Sequence, residues 1–244
     1  MLKIRIMPVL LWNGTTLVKG QNFINEKRAA GSPLTTTKIY NSRDVDEIVF
    51  FNISGKKFDN NYFDFIQEIT DCVSVPITIG GGIENVDEMD QLFMSGADKI
   101  SINSIVYSNP NIINYASKRF GSQAITVSID VKKIGNKYEC CSHNGKKLTD
   151  KVFIDWIKEC TDRGAGEIII NSINHDGLMN GYDTELIKIA SSIVKIPIIA
   201  AGGAGNSEHF FQGYLNGASA LAASSVFHFT VLTPANIKRY LEQK

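Results

Sequence analysis

The sequence predicts an α/β protein: a parallel (β/α)8 barrel assembled from two copies of one half-barrel. Three observations carry this. Residues 75–106, VPITIGGGIENVDEMDQLFMSGADKISINSIV, align without a gap to residues 196–227, IPIIAAGGAGNSEHFFQGYLNGASALAASSVF, at a constant offset of 121. Pro76 meets Pro197, Gly81-Gly82 meet Gly202-Gly203, Asn85 meets Asn206, Gly96-Ala97 meet Gly217-Ala218, and Ser104 meets Ser225. A second pair, DEIVFFNIS at 46–54 and GEIIINSIN at 166–174, repeats at an offset of 120. Short apolar runs also alternate with helical patterns eight times along 244 residues, close to the roughly 250 this architecture needs.

The first strand is read at 3–11, rich in Ile, Leu and Val. Residues 12–33 form a long polar segment with Gly14, Lys19, Gly20 and Gly31, and a loop of that length is usually functional or disordered. A short helix at 34–41 leads to strand two at 47–53. Residues 59–71 place Phe63, Phe65, Ile66 and Ile69 at amphipathic helical spacing. The first repeat copy supplies strands three and four and the helix between them. A helix at 110–120 opens on Pro110, where a missing N–H costs little, and strand five is 125–130. Residues 131–150 are polar, and Gly135-Asn136 and Asn144-Gly145 signal turns, so a small hairpin insertion is expected. A helix at 151–163 feeds strand six at 167–171. The next helix takes Asp183 as N-cap with Glu185 in its first turn. The second repeat copy supplies strands seven and eight, and 234–242 is the closing helix. No linker or composition shift divides the chain, so residues 1–244 are read as one (β/α)8 TIM-barrel domain.

Charge narrows the function. Lys plus Arg and Asp plus Glu both number 25, and the absent basic excess argues against nucleic acid as a partner. Cys72, Cys140, Cys141 and Cys160 form no C-x-x-C pair, and a chain this long needs no disulfide staple, which suits a reducing cytosol. The apolar start, MLKIRIMPVLLW, is broken by Lys3 and Arg5 and lacks a cleavage site, and no run nears the ~20 residues of a membrane span. A cytoplasmic protein without a membrane partner is expected. His143, His175, His209 and His228 show no metal-binding spacing. Cys140, Cys141 and His143 are the nearest to a ligand set, but fall in the hairpin, which is expected to be exposed. No metal and no cofactor is called for.

In this fold the C-terminal ends of strands and the loops after them build the active site. Gly81, Gly82, Gly202 and Gly203 sit there, where glycine lets backbone approach an anion. Asn103, Ser104, Ser224 and Ser225, one strand later in each half, offer further donors. Either turn alone reads as a tight strand-to-helix connection; two copies with matching polar turns point to phosphate binding at both sides of the mouth, and so to a bis-phosphorylated ligand. Asp130 closes strand five as a candidate acid–base group. Asp176-Gly177 follows strand six, either as a turn or as part of the site. Lys19, in the long first loop, is taken with Asp130 as a catalytic candidate within reach of a phosphate or substrate, although taken alone it reads as a solvated lysine. At the opposite end Arg5, Glu47, Lys99 and Glu167 stand at the starts of strands one, two, four and six. Pointed inward, they form a balanced charged ring, which is a costly way to obtain stability.

These residues resemble the cyclase subunit (HisF) family of imidazole glycerol phosphate synthase over essentially the whole chain. VKGQNF at 18–23, IGGGI at 79–83, GADKISIN at 96–103, GSQA at 121–124, RGAGEI at 163–168, DG at 176–177, GYDTE at 181–185, AGGAG at 201–205 and AASSVFHF at 222–229 carry the resemblance. It implies a HisH-type glutaminase partner that docks on the barrel bottom, with Asp98 in the docking face and Arg5, Glu47, Lys99 and Glu167 as an ammonia gate. It also implies phosphate or substrate contacts at Gly82, Asn103, Ser104, Asp176, Gly177, Gly203 and Ser225.

The catalytic end departs from the family, which uses an aspartate at the ends of strands one and five. Asp130 matches the second; Leu11 stands in place of the first and can move no proton. A positioned acid or base contributes about 10²–10⁴ in rate. Asn52, Asn171, Asn174, Leu178 and Ala201 also replace acidic or hydroxyl residues. Three readings follow. In the leading one the barrel partners a glutaminase, has lost cyclase chemistry and passes ammonia to a separate sugar amidotransferase in surface-sugar biosynthesis. In the second it is an active cyclase subunit of histidine biosynthesis. In the third it only stabilises or regulates its partner.

Overall fold

The computed structural model describes residues 4–23 and 28–244. β1 (Arg5–Trp12) begins the chain, and the part of the expected first strand at Lys3 lies outside the described residues. The polar segment after it carries regular structure: β2 (Leu17–Lys19) pairs antiparallel with β1 and with β3 (Arg28–Gly31). Then come α1 (Pro33–Asn41), β4 (Ile48–Asn52), α2 (Asn60–Thr70), β5 (Ile77–Gly80), α3 (Val86–Met94) and β6 (Lys99–Ile102). The short α4 (Ser104–Ser108) precedes α5 (Asn111–Phe120) and β7 (Ile125–Ile134).

The expected small hairpin is larger. β7 runs four residues past Asp130 and pairs antiparallel with β8 (Lys137–Ser142), which pairs with β9 (Lys147–Val152). The result is a three-stranded meander, not an exposed hairpin, and Cys140 and Cys141 are fully buried in it. Backbone pairing with the extension of β7 decides this, and no local property of those residues announces it. α6 (Phe153–Asp162), β10 (Glu167–Ser172), α7 (Thr184–Ile193), β11 (Ile198–Ala201), α8 (Ser207–Leu215), β12 (Ala220–Ala223), the short α9 (Ser225–Phe229) and α10 (Pro234–Glu242) complete the chain.

Eight strands close in the parallel order β1-β4-β5-β6-β7-β10-β11-β12 and back to β1. The two repeats keep their geometry. Asn85 and Asn206 cap α3 and α8 with nearly equal backbone angles, φ −154° and −153°, each side chain accepting the N–H three residues on. Such a cap contributes about 1 kcal/mol. Asp183 does the same for α7 through the Leu186 N–H.

Strand alternation divides the core. Ile6, Ile48, Ile77, Ile100, Ile125, Ile168, Ile198 and Leu221 face outward into one apolar layer beneath the helices. Inside the barrel, Met7, Val49, Ile169, Ile199, Ala220 and Ala222 form a separate apolar cluster. On β5, β6 and β7 the buried residues of the alternate register are Thr78, Ser101, Thr126 and Ser128, so that side of the lumen is polar.

Candidate functional site

A cavity of about 1110 Å³ opens at the C-terminal ends of the barrel strands. Lys19, Gly81, Gly82, Asn103, Ser104, Asp130, Asp176, Gly177, Gly202, Gly203, Ser224 and Ser225 all line it, so every residue selected for the mouth converges there. The glycine turns require glycine: Gly81 and Gly82 both lie at φ +82°, Gly202 at +90° and Gly203 at +107°. A Cβ on Gly81 would sit 2.2 Å from the Asn52 carbonyl oxygen, and one on Gly203 2.0 Å from that of Gly181. Backbone amides in such turns can approach an anion that any side chain would hold away.

Asp130 is 5% exposed. Asn103 donates to its Oδ2 at 2.8 Å and Asn171 to its Oδ1 at 3.4 Å. Burial pushes its carboxyl up to about 7; the two amide hydrogen bonds oppose this and the Asp176 carboxylate adds to it. The group is therefore poised to give or take a proton near neutrality. Leu11 lines the same cavity from β1, the first strand of eight, across the barrel from β7, the fifth.

Lys19 is not solvated. It is buried, and its Nζ contacts both carboxylate oxygens of Asp176 at 2.6 and 2.7 Å. The segment after it lies on the β10 loop, where Asn22 N–H donates to the Asp176 carbonyl and the Asn22 side chain donates to those of Ile173 and Asn174. From the other side the β8–β9 turn reaches the mouth: His143 N–H donates to Ser104 Oγ at 2.9 Å, and Gly145 packs against Phe23 and Ile173. Sequence reasoning found that turn through Asn144-Gly145 but had no signal for where it points. Among the described residues no group of His, Cys, Asp and Glu is arranged to hold a metal.

At the other end of the barrel Arg5, Glu47, Lys99 and Glu167 close into a ring. Arg5 contacts Glu47 at 2.8 Å and Glu167 at 2.7 Å, and Lys99 contacts the same two at 2.9 and 3.0 Å. Thr78 Oγ1 adds a 2.6 Å bond to Glu47. Burial works against the Arg5 charge, yet the Glu167 and Glu47 carboxylates outweigh it and raise its pKa. Asp98 is exposed beside Lys99 and accepts the Ile77 N–H at 2.8 Å, closing the start of β5.

Together these features define a class: a half-repeated (β/α)8 barrel with paired glycine turns at its mouth and a four-charge ring at its base. The sequence matches the family described as "Histidine biosynthesis protein" over residues 5–233. It is 42% identical over 246 residues to a protein of Natranaerobius thermophilus named "Imidazole glycerol phosphate synthase subunit HisF", covering all of this chain and 98% of that one. Proteins of the same name from Chlorobaculum tepidum (100% of this chain, 98% of the relative) and Phocaeicola vulgatus (99% and 96%) are each 40% identical. The chain belongs to the HisF family of histidine biosynthesis proteins.

No helix among the described residues is long and apolar enough to cross a membrane.

Proposed function

We propose that this chain is the ammonia-accepting barrel subunit of a glutamine amidotransferase complex. A HisH-type glutaminase docks on the face that carries Asp98, ammonia enters at the ring of Arg5, Glu47, Lys99 and Glu167, and a bis-phosphorylated ligand spans the two glycine turns. The ring carries this reading. Four charges at the base of a barrel are a poor route to stability, because desolvation offsets most of their attraction, whereas an entrance for a small polar molecule needs them. The lumen above the ring supports it. Thr78, Ser101, Thr126 and Ser128 run up one wall towards the cavity, and Ser101 Oγ and Thr126 Oγ1 find no partner among the described residues. A passing ammonia molecule would meet them.

Leu11 sets the chemistry at the mouth. With one of two proton handlers replaced by an alkyl side chain, cyclase turnover is low and the released ammonia serves a separate acceptor, such as an amidotransferase acting on a surface sugar. Asp130 favours a second reading, an active imidazole glycerol phosphate synthase cyclase, because its carboxyl is poised near 7.

The experiment supplies the bis-phosphorylated ribulosyl imidazole-carboxamide with ammonium salt, or with glutamine and a HisH-type glutaminase. The leading reading expects glutamine hydrolysis stimulated by the barrel with little imidazole glycerol phosphate formed from either source. Turnover at the rate of an authentic synthase establishes the second reading. A barrel that leaves the glutaminase neither bound nor stimulated sinks both.

A further inference from the structure

Four asparagines in this chain are followed by glycine: Asn13, Asn144, Asn180 and Asn216. We infer that Asn144 is a site of spontaneous deamidation, because the fold restrains the other three pairs and leaves this one free. The conversion adds a carboxylate to the mouth of the barrel. It does not depend on the roles proposed for the ring and the glycine turns.

The reaction is internal to the chain. The Gly145 backbone nitrogen attacks Asn144 Cγ, an N–Cγ bond forms, and the Cγ–Nδ2 bond breaks. Ammonia leaves, taking with it the proton that the glycine nitrogen gives up. Water, the one co-reactant, then opens the cyclic imide. Addition at Cγ leaves aspartate in an ordinary backbone; addition at the main-chain carbonyl leaves isoaspartate, with the backbone routed through the side chain. Glycine favours the first step because no Cβ shields its nitrogen. Two conditions remain: a nitrogen not held by a hydrogen bond, and a carboxamide free to turn towards it.

Each of the other pairs fails one condition or both. Asn13 Oδ1 accepts the Thr15 N–H, the Thr15 hydroxyl and the Thr16 N–H, all at 3.0 Å, so its carboxamide is fixed. At Asn180 the nitrogen is taken: Gly181 N–H donates to the Gly203 carbonyl at 2.8 Å. At Asn216 both groups are taken, Nδ2 by the Gln212 carbonyl at 2.8 Å and Gly217 N–H by the Tyr214 carbonyl at 2.9 Å. At the tip of the β8–β9 turn neither the Asn144 carboxamide nor the Gly145 N–H has a hydrogen-bond partner among the described residues, and Asn144 is exposed.

Ring closure also requires the backbone at Asn144 to rotate out of its turn conformation, in which φ is +57°. Between the paired Ser142 and Lys147 that turn is closed by a single backbone bond, Lys146 N–H to the His143 carbonyl at 3.3 Å. A turn tied so weakly opens locally while the strands on either side stay paired. The product matters because Asn144 lines the cavity, so the new carboxylate joins its wall. Isoaspartate also adds a backbone carbon to a turn that reaches the mouth through His143 N–H and Ser104 Oγ.

The test ages the purified full chain at mildly alkaline pH, folded in buffer and unfolded in urea, and follows all four asparagines by peptide mass spectrometry. A held N–H or carboxamide must first give up its hydrogen bonding, so folded Asn144 should convert at least about fivefold faster than Asn13, Asn180 and Asn216. In urea, where only the shared Asn-Gly pair remains, the four rates should converge. Fragmentation should show isoaspartate as well as aspartate at residue 144, the signature of an imide. Folded rates that do not separate Asn144 from the other three overturn the inference. So does a ranking that survives unchanged in urea, since the fold is then not its cause. Aspartate alone at residue 144 means direct hydrolysis and overturns the imide route.

Discussion

Lys19 Nζ sits 2.6 and 2.7 Å from the two carboxylate oxygens of Asp176, with both side chains less than a tenth exposed. The pair joins the end of β2 to the loop after β10, two segments 157 residues apart. It also neutralises a carboxylate that would otherwise oppose an anion in the cavity.

Breaking this pair from one side leaves a buried charge, which typically costs about 3–5 kcal/mol, whereas replacing both partners with apolar residues is often close to neutral. Lys19→Met and Asp176→Leu should each destabilise the barrel by that order, and the double variant should recover most of the loss. Urea unfolding of the three variants against wild type measures it. Additive losses would show that the two side chains act independently.

Asp130 should make stability depend on pH. Its folded pKa, about 7, lies above the roughly 3.9 of an unfolded aspartate. Between those values the folded state holds the extra proton, so the contribution of this group to stability is full below about pH 4 and is lost as pH rises to about 7. Asp130→Asn should therefore be more stable than wild type at pH 8, by about 2–4 kcal/mol, with the gap closing towards pH 5. Thermal melts at the two pH values decide it, and a gap independent of pH would contradict the raised pKa.

Alanine at two glycines should differ sharply. Gly82→Ala faces the backbone cost of a positive φ, about 1–2 kcal/mol, with space for the methyl beside Phe58. Gly203→Ala pays that cost and drives the methyl into the Gly181 carbonyl. It should melt well below Gly82→Ala in a side-by-side denaturation, and equal melting would mean the 175–181 loop yields easily.

Leu11→Asp returns a second carboxylate to the mouth, across the barrel from Asp130. If the missing acid limits turnover, ammonia-dependent formation of imidazole glycerol phosphate should rise at least about tenfold, short of the 10²–10⁴ a fully positioned group supplies. Unchanged turnover in a protein that still binds the substrate would place the limit elsewhere, at Asn171 or Ala201.

What the sequence could and could not show follows from range. The helix cap Asp183 is local, since it satisfies an N–H three residues away, and is legible; Asn85 and Asn206 are legible as matched positions of the repeat, and their capping emerges in the fold. The repeat made the barrel legible because the same short pattern recurs half a chain later. Lys19 is legible as a site candidate, but its burial is not, because nothing near it in sequence names Asp176 as its partner. Cys140 and Cys141 were read as exposed because polar neighbours suggested a hairpin in solvent, while the continuation of β7 past Asp130 buries them. The ring of Arg5, Glu47, Lys99 and Glu167 was legible as strand starts, but its closure depends on strand tilt and register, which only the folded barrel supplies.

The ring is also mechanically lopsided. Arg5 is tied by three hydrogen bonds spread over two nitrogens, while Lys99 makes its two through a single nitrogen at the end of a flexible stem. Pulling Lys99 away requires one ammonium to turn and leaves Glu47 and Glu167 still bridged by the guanidinium. Pulling Arg5 away breaks three bonds and leaves the two carboxylates joined through the Lys99 ammonium alone. Lys99 is thus the cation whose departure costs the ring fewer bonds, two against three.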